Sequence, residues 1–298
     1  MSGSEYHKPV MPREVIESLN IRPDGVYVDV TFGGGGHSGE ILSKLETGRL
    51  IAFDQDPDAW KNAPDDKRFT LVQTNFRNLT AELKALGIQE VNGILADLGV
   101  SSHQFDTPER GFSLRFDGPL DMRMDTRQKK SAWNVINEYD IDDISRILAV
   151  YGEMPRSRSL ADVIGKSRPI DTVEELKKAV ARFAPFKKEH KFYAQLFQAL
   201  RIEVNDELKA LEEFLEQTPG VLAKEGRLVI ISYHSLEDRL VKNYMRAGNF
   251  SGREEKDLYG HPVRPLEPLF RKALVPDDTE INENNRSRSA KLRAATRL

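Results

Sequence analysis

Short apolar runs alternate with helical patterns along the first third of the chain. Four runs rich in Val, Ile, Leu and Phe predict buried strands at 26–30, 49–53, 69–73 and 92–96. Between them, segments with helical spacing or composition occur at 38–46, 58–63 and 78–87. Continuous apolar strands that alternate with helices are typical of a parallel sheet covered on both faces. The pattern therefore predicts an α/β fold with a doubly wound sheet.

The alternation stops after Asp97. A loop rich in Gly, Ser and Asp (98–130) leads into a long segment with helical patterns and no strand pattern. One helix opens with a Thr-x-x-Glu capping box at Thr172 and Glu175. A single longer helix is expected next, because one apolar stripe continues through Leu196, Leu200, Val204, Leu208, Leu211 and Leu215.

The strand pattern resumes near the end of the chain. A fifth buried strand is predicted at 226–232 and a helix at 234–246, and the stretches 266–275 and 287–295 can pair as a terminal hairpin. We therefore expect one α/β domain formed by 1–112 and 211–298, which is interrupted by an all-helical insertion at 113–210.

Composition narrows the class of protein. A chain of 298 residues with 39% hydrophobic residues is long enough for two domains of ordinary size. The absence of cysteine excludes disulfides and thiolate metal sites, and the six histidines show no metal-ligand spacing, so no metal is expected. No secretory signal pattern and no apolar run long enough to span a membrane occur in the sequence. These features predict a cytoplasmic protein without a membrane partner.

Charge is distributed unevenly. The net charge is −3 and the pI is about 6.1, yet three basic segments stand out at 123–130, 182–191 and 286–298. The last one holds Arg286, Arg288, Lys291, Arg293 and Arg297 without an acid. Local basic segments in an acidic chain favour recognition of a defined RNA site over non-specific coating of nucleic acid. Solvated surface charge is the alternative for each segment.

A glycine loop lies between the first predicted strand and the first helix, in the stretch DVTFGGGGHS (29–38). Doubly wound folds bind nucleotides at this edge of the sheet, and Asp54 at the end of the second strand is placed to hold ribose hydroxyls. No Gly-Lys-Ser/Thr follows, which excludes a P-loop. Asp29 suits a cationic ligand such as S-adenosylmethionine better than a pyrophosphate, although a capping or turn-forming role is the alternative.

Two further residues lie at the predicted carboxyl edge of the sheet. Asp97 ends the fourth strand, where an acceptor can grip the N–H bonds of an exocyclic amine during methyl transfer. His234 follows the fifth strand, where it can orient a base or relay a proton. The alternatives are that Asp97 serves the cofactor and that His234 caps the following helix with Ser235. Asp97 and His234 are therefore the predicted catalytic residues.

The chain resembles the bacterial small-subunit ribosomal RNA (cytosine-N4)-methyltransferases, the MraW or RsmH family. The resemblance is carried by several stretches that occur in order: YHKPVM (6–11) with PREVIESL (12–19), DVTFGGGGHS (29–38), AFDQDP (52–57), DLGVSSHQFD (97–106), ERGFSL (109–114), DGPLDMRMD (117–125), YHSLEDRLVK (233–242) and NRSRSAKLR (285–293). It implies a class I S-adenosylmethionine-dependent methyltransferase fold with an inserted helical domain. The insertion and the basic carboxyl-terminal segment are expected to supply the contacts with RNA.

The resemblance also implies a set of cofactor-binding residues, which are Gly35, Gly36, His37, Asp54, Phe76, Asp97 and Gln104. The expected reaction is methylation of a cytidine N4 in 16S rRNA, with the assembled 30S subunit as partner. The chain departs from typical amine methyltransferases because Asp97-Leu98-Gly99 replaces their Asp-Pro-Pro-aromatic motif. The stacking aromatic must then come from elsewhere, and Phe105, Phe112 and Tyr233 are candidates.

Two functions of other classes remain open at this point. An NAD-dependent oxidoreductase uses the same kind of glycine loop, although Asp29 and the lack of a second substrate signature disfavour it. A non-catalytic ribosome-assembly factor that retains the fold is the other alternative, because cofactor-binding residues do not establish turnover.

Overall fold

The structure, a computed structural model, describes residues 9–298 and divides into two compact units. The first unit combines the residues up to Gly99 with Leu208–Leu298, and the second is Val100–Glu207. The chain thus leaves the first unit once and returns to it. The sequence patterns placed the insertion at 113–210, and its assignment to RNA recognition stays a prediction. Residues 6–8 of the motif at 6–11 lie outside the described residues.

Within the described residues, all seven strands belong to the first unit and form one sheet. They are β1 (Val26–Asp29), β2 (Arg49–Phe53), β3 (Phe69–Val72), β4 (Val91–Asp97), β5 (Leu222–Ser232), β6 (Leu266–Pro268) and β7 (Lys291–Arg297). The five predicted strands are confirmed as β1 to β5, but β3, at the edge of the sheet, is only partly buried. The predicted terminal pairing is also found, since β6 and β7 run antiparallel.

The helices of the described chain are labelled in order. They are α1 (Pro12–Leu19), α2 (Gly36–Lys44), α3 (Leu79–Ala85), α4 (Ser102–Asp106), α5 (Ala132–Glu138), α6 (Ile141–Val150), α7 (Ser157–Lys166), α8 (Val173–Val180), α9 (Glu189–Asn205), α10 (Glu207–Val221), α11 (Ser235–Ala247) and α12 (Asp278–Glu283). The segment predicted as a helix at 58–63 forms a short 3-10 turn over Ala59–Asn62 instead. Within residues 9–298, no helix combines the length and the apolar composition that crossing a membrane requires.

The order of the strands creates a crevice at the centre of the sheet. The order is β3-β2-β1-β4-β5-β7-β6, with β1 to β5 parallel and β7 antiparallel to both of its neighbours. The chain runs outward from β1 to β3 and then crosses back to β4. Parallel sheets bind ligands where the strand order reverses in this way, beyond the carboxyl ends of the strands. That point lies between β1 and β4, next to Asp29 and Asp97.

Both faces of the sheet are buried, which explains why its strands read as continuous apolar runs. Val28, Ile94 and Ile230 point to one face, where α3, α10 and α11 supply partners such as Leu83, Phe214 and Val241. Tyr27, Leu95 and Val229 point to the other face, where α1 and α2 supply Val15, Leu19 and Ile41. The sheet is therefore the central layer of three, and side chains at the ends of its strands are held in a rigid frame.

The second unit has its own helical core. Ile147, Leu160, Leu176 and Leu196 are completely buried in one cluster that joins helices α6 to α9. The predicted capping box is confirmed, since Thr172 Oγ1 accepts from the Glu175 N–H at 3.3 Å and the Glu175 carboxylate accepts from the Thr172 N–H at 3.2 Å.

The loop before α5 is also ordered by buried polar side chains of the second unit. Asn205 donates to the carbonyl of Met122 at 2.8 Å and accepts from the Met124 N–H at 2.7 Å. Arg110, which is 6% exposed, donates to the carbonyls of Arg123 and Met124. These bonds satisfy buried backbone groups, so this part of the ERGFSL and DGPLDMRMD stretches has a structural role.

The prediction of a single long helix over the stripe Leu196–Leu215 is wrong. Helix α9 ends at Asn205, Asp206 adopts a left-handed conformation with φ of 53°, and α10 starts at Glu207. The apolar spacing continues across this break, so periodicity alone did not reveal it. The sequence signal for the break was the Asn-Asp pair at 205–206, because Asn and Asp adopt the left-handed conformation more readily than most other residues.

Candidate active site

The glycine loop connects β1 to α2, and its backbone conformation explains part of its composition. Gly33 and Gly35 have φ of 51° and 80°, values that residues with a Cβ rarely adopt. A Cβ added at Gly36 would lie 3.2 Å from Pro9, whereas one at Gly34 would meet no atom within 4 Å. Gly34 is therefore not required by contacts within the described chain, and it borders space that a ligand can fill.

Asp29, the last residue of β1, is buried and bonds to residues of this loop and of α2. Its side chain is 1% exposed and accepts from the Ser38 hydroxyl at 2.7 Å and from the Thr31 N–H at 3.1 Å. Burial raises the pKa of Asp29, although His37 and Ser38 act in the opposite direction. These contacts correspond to the turn-forming alternative, because both carboxylate oxygens bond to groups of the loop itself.

Asp54, at the end of β2, bonds to the glycine loop from the other side. Its Oδ2 accepts from the Gly33 N–H at 2.7 Å, and its Oδ1 accepts from the Asp56 N–H at 2.8 Å. Burial raises the pKa of Asp54 to about 7, although both N–H donors favour the ionised form. Two hydrogen bonds therefore hold the Asp54 carboxyl group in place. With a pKa of about 7, the group is partly protonated at neutral pH.

A chain of polar contacts joins His37, Asp97 and Tyr233. Asp97 Oδ1 accepts from the Tyr233 hydroxyl at 2.7 Å, and Asp97 Oδ2 lies 3.5 Å from His37 Nε2. Burial and the Asp97 charge raise the pKa of Tyr233 well above its ordinary value, so the phenol stays protonated and donates a hydrogen bond to Asp97. Burial lowers the pKa of His37, but the carboxylates of Asp97 and Asp29 outweigh it and raise the pKa above its ordinary value.

The backbone around Asp97 is fixed as well. The Asp97 N–H donates to Thr31 Oγ1 at 2.7 Å, which ties the end of β4 to the loop that follows β1. Gly99 has a φ of 100°, and a Cβ there would lie 3.3 Å from the Tyr233 ring. The lack of a Cβ at Gly99 therefore leaves room for the ring of Tyr233, whose hydroxyl bonds to Asp97.

His234 lies at the start of α11 and is directed toward the helix. Its Nδ1 accepts from the Glu237 N–H at 3.4 Å, and its Nε2 lies 3.1 Å from Glu237 Oε1. The Glu237 carboxylate in turn accepts from the backbone N–H groups of Tyr233 and His234 at 2.9 and 3.3 Å. These contacts form a capping box, which is the structural alternative for His234. Its catalytic role stays a prediction.

The two remaining predicted cofactor residues have different surroundings. Phe76 is half-buried and packs edge-to-face on Phe214, with ring centroids 5.3 Å apart. Gln104 belongs to the second unit, where its side chain and that of Ser101 form the capping box of α4. The first unit thus brings together Gly35, Gly36, His37, Asp54 and Asp97, and the roles of Phe76 and Gln104 stay predictions.

Sequence patterns missed three residues that hold this arrangement. Thr31, Ser38 and Glu237 bond to Asp29, Asp97 or the start of α11, and Tyr233 was expected only as a stacking aromatic. The Thr two residues after Asp29 and the Glu three residues after His234 were weak local signals, since both spacings are typical of side-chain bonds to backbone N–H groups. The bond between Tyr233 and Asp97 spans 136 positions and had no such signal.

A family model described as the MraW methylase family matches residues 4–298. The chain belongs to this family. Ribosomal RNA small subunit methyltransferase H of Cytophaga hutchinsonii is 54% identical, over 98% of this chain and 99% of that protein. The protein of the same name from Flavobacterium psychrophilum is 55% identical, over 96% and 99% of the two chains. A solved rRNA methylase structure from Streptococcus thermophilus has 12% identity and a TM-score of 0.41 over 96% of this chain and 93% of its own, which adds nothing to the assignment.

Membership of the MraW methylase family confirms several predictions from the sequence. The resemblance, the class I methyltransferase fold and the assignment as an S-adenosylmethionine-dependent methyltransferase are all confirmed. An NAD-dependent oxidoreductase is not favoured for a chain of this family.

The residues of the first unit fit S-adenosylmethionine chemically. The first N–H groups of α2, at Gly36, His37 and Ser38, have no intrahelical acceptor because of their position, and they suit the carboxylate of the methionine part. Asp54 offers carboxylate oxygens to ribose hydroxyls. Gly34, where an added Cβ would meet no atom within 4 Å, lies two residues before the start of α2 at Gly36.

The basic residues near the carboxyl terminus differ in whether their side chains bond to other groups of the described chain. Arg293 Nε donates to Asp238 Oδ1 at 2.7 Å, and Lys291 Nζ lies 3.2 Å from Asp238 Oδ2. Arg297 donates to the carbonyl of Leu222 at 2.7 Å. Arg288, in contrast, has no side-chain partner in the described part of the chain and is exposed.

Proposed function

We propose that this protein transfers a methyl group from S-adenosylmethionine to N4 of a cytidine in 16S rRNA. The observation that carries the proposal is the Asp97 carboxylate at the switch point of a methyltransferase sheet, held there by the Tyr233 hydroxyl. The named relatives are small-subunit ribosomal RNA methyltransferases, and their similarity covers nearly the whole chain.

Asp97 is the proposed catalytic residue. The exocyclic amine of cytosine is a poor nucleophile, because its lone pair is delocalised into the ring. A carboxylate that accepts from the amine N–H favours the pyramidal nitrogen and takes the proton as the new bond forms. Tyr233 acts as a positioning residue, since its protonated hydroxyl holds one carboxylate oxygen while the other stays on the side of His37.

S-adenosylmethionine supplies an electrophilic methyl group when it is bound. Gly35, Gly36 and His37 would hold it through the loop and the start of α2, Asp54 through its carboxylate, and Phe76 beside the adenine. The family resemblance adds Asp97 and Gln104 to this set. His234, which follows Tyr233 at the start of α11, is proposed to orient the cytosine or to relay its proton.

The helical part of the chain at 113–210 is proposed to contact the RNA. Phe186 is 83% exposed and lies in the basic segment 182–191, with Lys187 Nζ 5.6 Å from the ring centroid. In the same segment Arg182 lies over the Phe183 ring, 5.0 Å from its centroid. An exposed aromatic ring among cations, such as Phe186, suits unpaired RNA bases, which stack on aromatic faces. The target cytosine must also leave its stack to reach Asp97.

A further part of the proposal is that the enzyme acts on the assembled 30S subunit, in the cytoplasm. The test compares 30S particles with naked 16S rRNA, both from a strain that lacks this activity, using radiolabelled S-adenosylmethionine. The RNA is then digested and the labelled nucleoside identified. Label in N4-methylcytidine is expected, with the particle as the better substrate.

The possible results separate the remaining alternatives. Label in another nucleoside contradicts the N4-cytidine assignment, and equal labelling of naked rRNA contradicts the requirement for the particle. If the protein binds S-adenosylmethionine but labels neither substrate, the proposed reaction is contradicted in favour of another substrate or of a binding role in ribosome assembly.

A further inference from the structure

A cavity of about 290 Å³ lies where β5 passes into α11. Tyr233, His234 and Ser235 line it from this junction, and Arg288, Ser289 and Lys291 line it from the segment that enters β7. All of these residues belong to the first unit. The volume is at the small end of the range for ligand sites, so it suits a small polar group better than a whole nucleotide.

The lining carries positive charge. Arg288 is exposed and has no side-chain partner among residues 9–298, so its guanidinium is available to a ligand. Lys291 shares the Asp238 carboxylate with Arg293, at 3.2 and 2.7 Å. The single Asp238 carboxylate is therefore shared by two cationic side chains, and Arg288 contributes a third cation to the same region. Arginine and lysine together are the usual recognition groups for phosphate oxygens.

Other groups of the lining can also donate to an anion. Ser289 carries an exposed hydroxyl, and Ser235 opens the thirteen-residue helix α11. The start of a helix favours negative charge because of its dipole. The Glu237 carboxylate already accepts from two backbone N–H groups there, so Arg288 and Lys291 supply most of the attraction.

Tyr233 connects the cavity with the reacting centre. Its side chain lines the cavity, and its hydroxyl donates to Asp97 Oδ1 at 2.7 Å. A nucleotide whose base reaches Asp97 brings its flanking phosphodiester groups with it. We propose that the Arg288 cavity holds a phosphodiester group of the RNA strand, close to the nucleotide that is methylated. This inference rests on the proposed function.

The first test replaces Arg288 with Ala in the full-length protein. Binding of 16S rRNA at several salt concentrations should weaken about tenfold, the effect of losing one hydrogen bond to a charged group. The dependence of log K on log salt should flatten by about one unit for one lost phosphate contact. Affinity for S-adenosylmethionine should stay unchanged.

The matched control is Arg253→Ala, which removes an exposed arginine beyond the opposite end of α11. It should leave both RNA affinity and the salt slope at wild-type values. If Arg288→Ala and Arg253→Ala give the same affinity and slope, the cavity is not a phosphate site.

A second test locates the phosphate. A set of oligonucleotides that span the target cytidine carries one neutral methylphosphonate linkage at each position in turn. If Arg288 contacts one phosphate, neutralising that linkage weakens binding to the wild type but has no further effect on Arg288→Ala, because the two changes remove the same interaction. Additive effects at every linkage would overturn the proposal.

These experiments separate the inference from the proposed function. The binding measurements require no turnover, so wild-type protein that binds RNA without methylating it contradicts the proposed reaction alone. An Arg288→Ala variant with wild-type affinity and salt slope contradicts the cavity alone.

Discussion

The acidic groups at the carboxyl edge of the sheet and the basic groups outside it are organised in opposite ways. Asp29 and Asp54 bond to backbone or hydroxyl groups of the surrounding loops, and Asp97 is held by Tyr233. Arg288 and the segment around Phe186 are exposed, and Arg288 has no side-chain partner in the described chain. The bonds of the acidic groups fix their positions before a ligand binds, which a reaction at one defined atom requires. The exposed basic groups can bind a polyanion such as RNA.

The largest effect is expected at the centre of the fixed region. Asp97→Ala should lower the methylation rate by about 10²- to 10⁴-fold, the usual contribution of a positioned acid or base. Asp97→Asn should be less impaired, because an amide oxygen still accepts from the amine. Single-turnover rates with saturating RNA measure both. A rate for Asp97→Ala within threefold of wild type would remove Asp97 from the chemistry.

The next effect concerns cofactor affinity. Asp54→Ala should weaken S-adenosylmethionine binding by roughly 1.5 to 3 kcal/mol, the scale of a hydrogen bond to a charged group. Isothermal titration calorimetry measures this directly. Asp54→Asn is the matched variant, since it keeps the size of the side chain and removes the charge. Unchanged affinity in both would contradict the ribose role.

The raised pKa of Asp54 adds a pH dependence with a defined sign. Because its folded pKa of about 7 lies above the ordinary value of 3.8, its contribution to stability is complete below the unfolded pKa and is lost as the pH rises through 7. Ribose hydroxyls donate to the ionised carboxylate, so cofactor affinity should rise from about pH 6 to about pH 8. Asp54→Asn should flatten this rise, and an equally steep rise in the variant would assign it to another group.

A smaller effect is expected from the residue that positions Asp97. Tyr233→Phe keeps the ring and removes the hydroxyl, and it should lower kcat about tenfold through loss of one charge-assisted hydrogen bond. The KM for S-adenosylmethionine should not change. A purely structural tyrosine would instead lower the stability or raise both KM values while kcat stays at the wild-type level.

The smallest effect is expected in the exposed region. Phe186→Ala should raise the KM for RNA roughly fivefold, the low end of what one base stacked on an aromatic ring contributes. The rate at saturating RNA should stay unchanged. Tyr259→Ala is the control, because Tyr259 is 86% exposed as well. Equal KM values for both variants would show that exposure of an aromatic ring is not sufficient for RNA binding.

The fold could be predicted largely from the sequence. Strands buried on both faces give uninterrupted apolar runs, so β1, β2, β4 and β5 were found within a few residues, and the partly buried edge strand β3 was found as well. The exceptions are the segment 58–63, which forms only a short 3-10 turn, and the break at Asp206, where the apolar stripe continues from α9 into α10. Hydrophobic spacing records which side chains are buried but not where the backbone changes direction.

The candidate site could be predicted only in part. The positions of Asp54 and Asp97 at strand ends pointed to the correct edge of the sheet, because the carboxyl ends of parallel strands meet there. The capping role of His234 and the bonds of Asp29 depend on short-range geometry that several side chains can satisfy. The pKa of Asp54 depends on burial, which no single residue type determines.

The sequence by itself determined the alternation of strands and helices, the glycine loop, the acidic strand ends and the family. The glycine loop and the acidic strand ends are local patterns, and the alternation and the family follow from the order of such patterns along the chain. Only the tertiary structure decided that Tyr233 holds Asp97 and that Arg288 and Lys291 line one cavity while Arg293 pairs with Asp238. The Tyr233–Asp97 and Arg293–Asp238 bonds join residues 136 and 55 positions apart, and the packing of the sheet brings them within hydrogen-bonding distance.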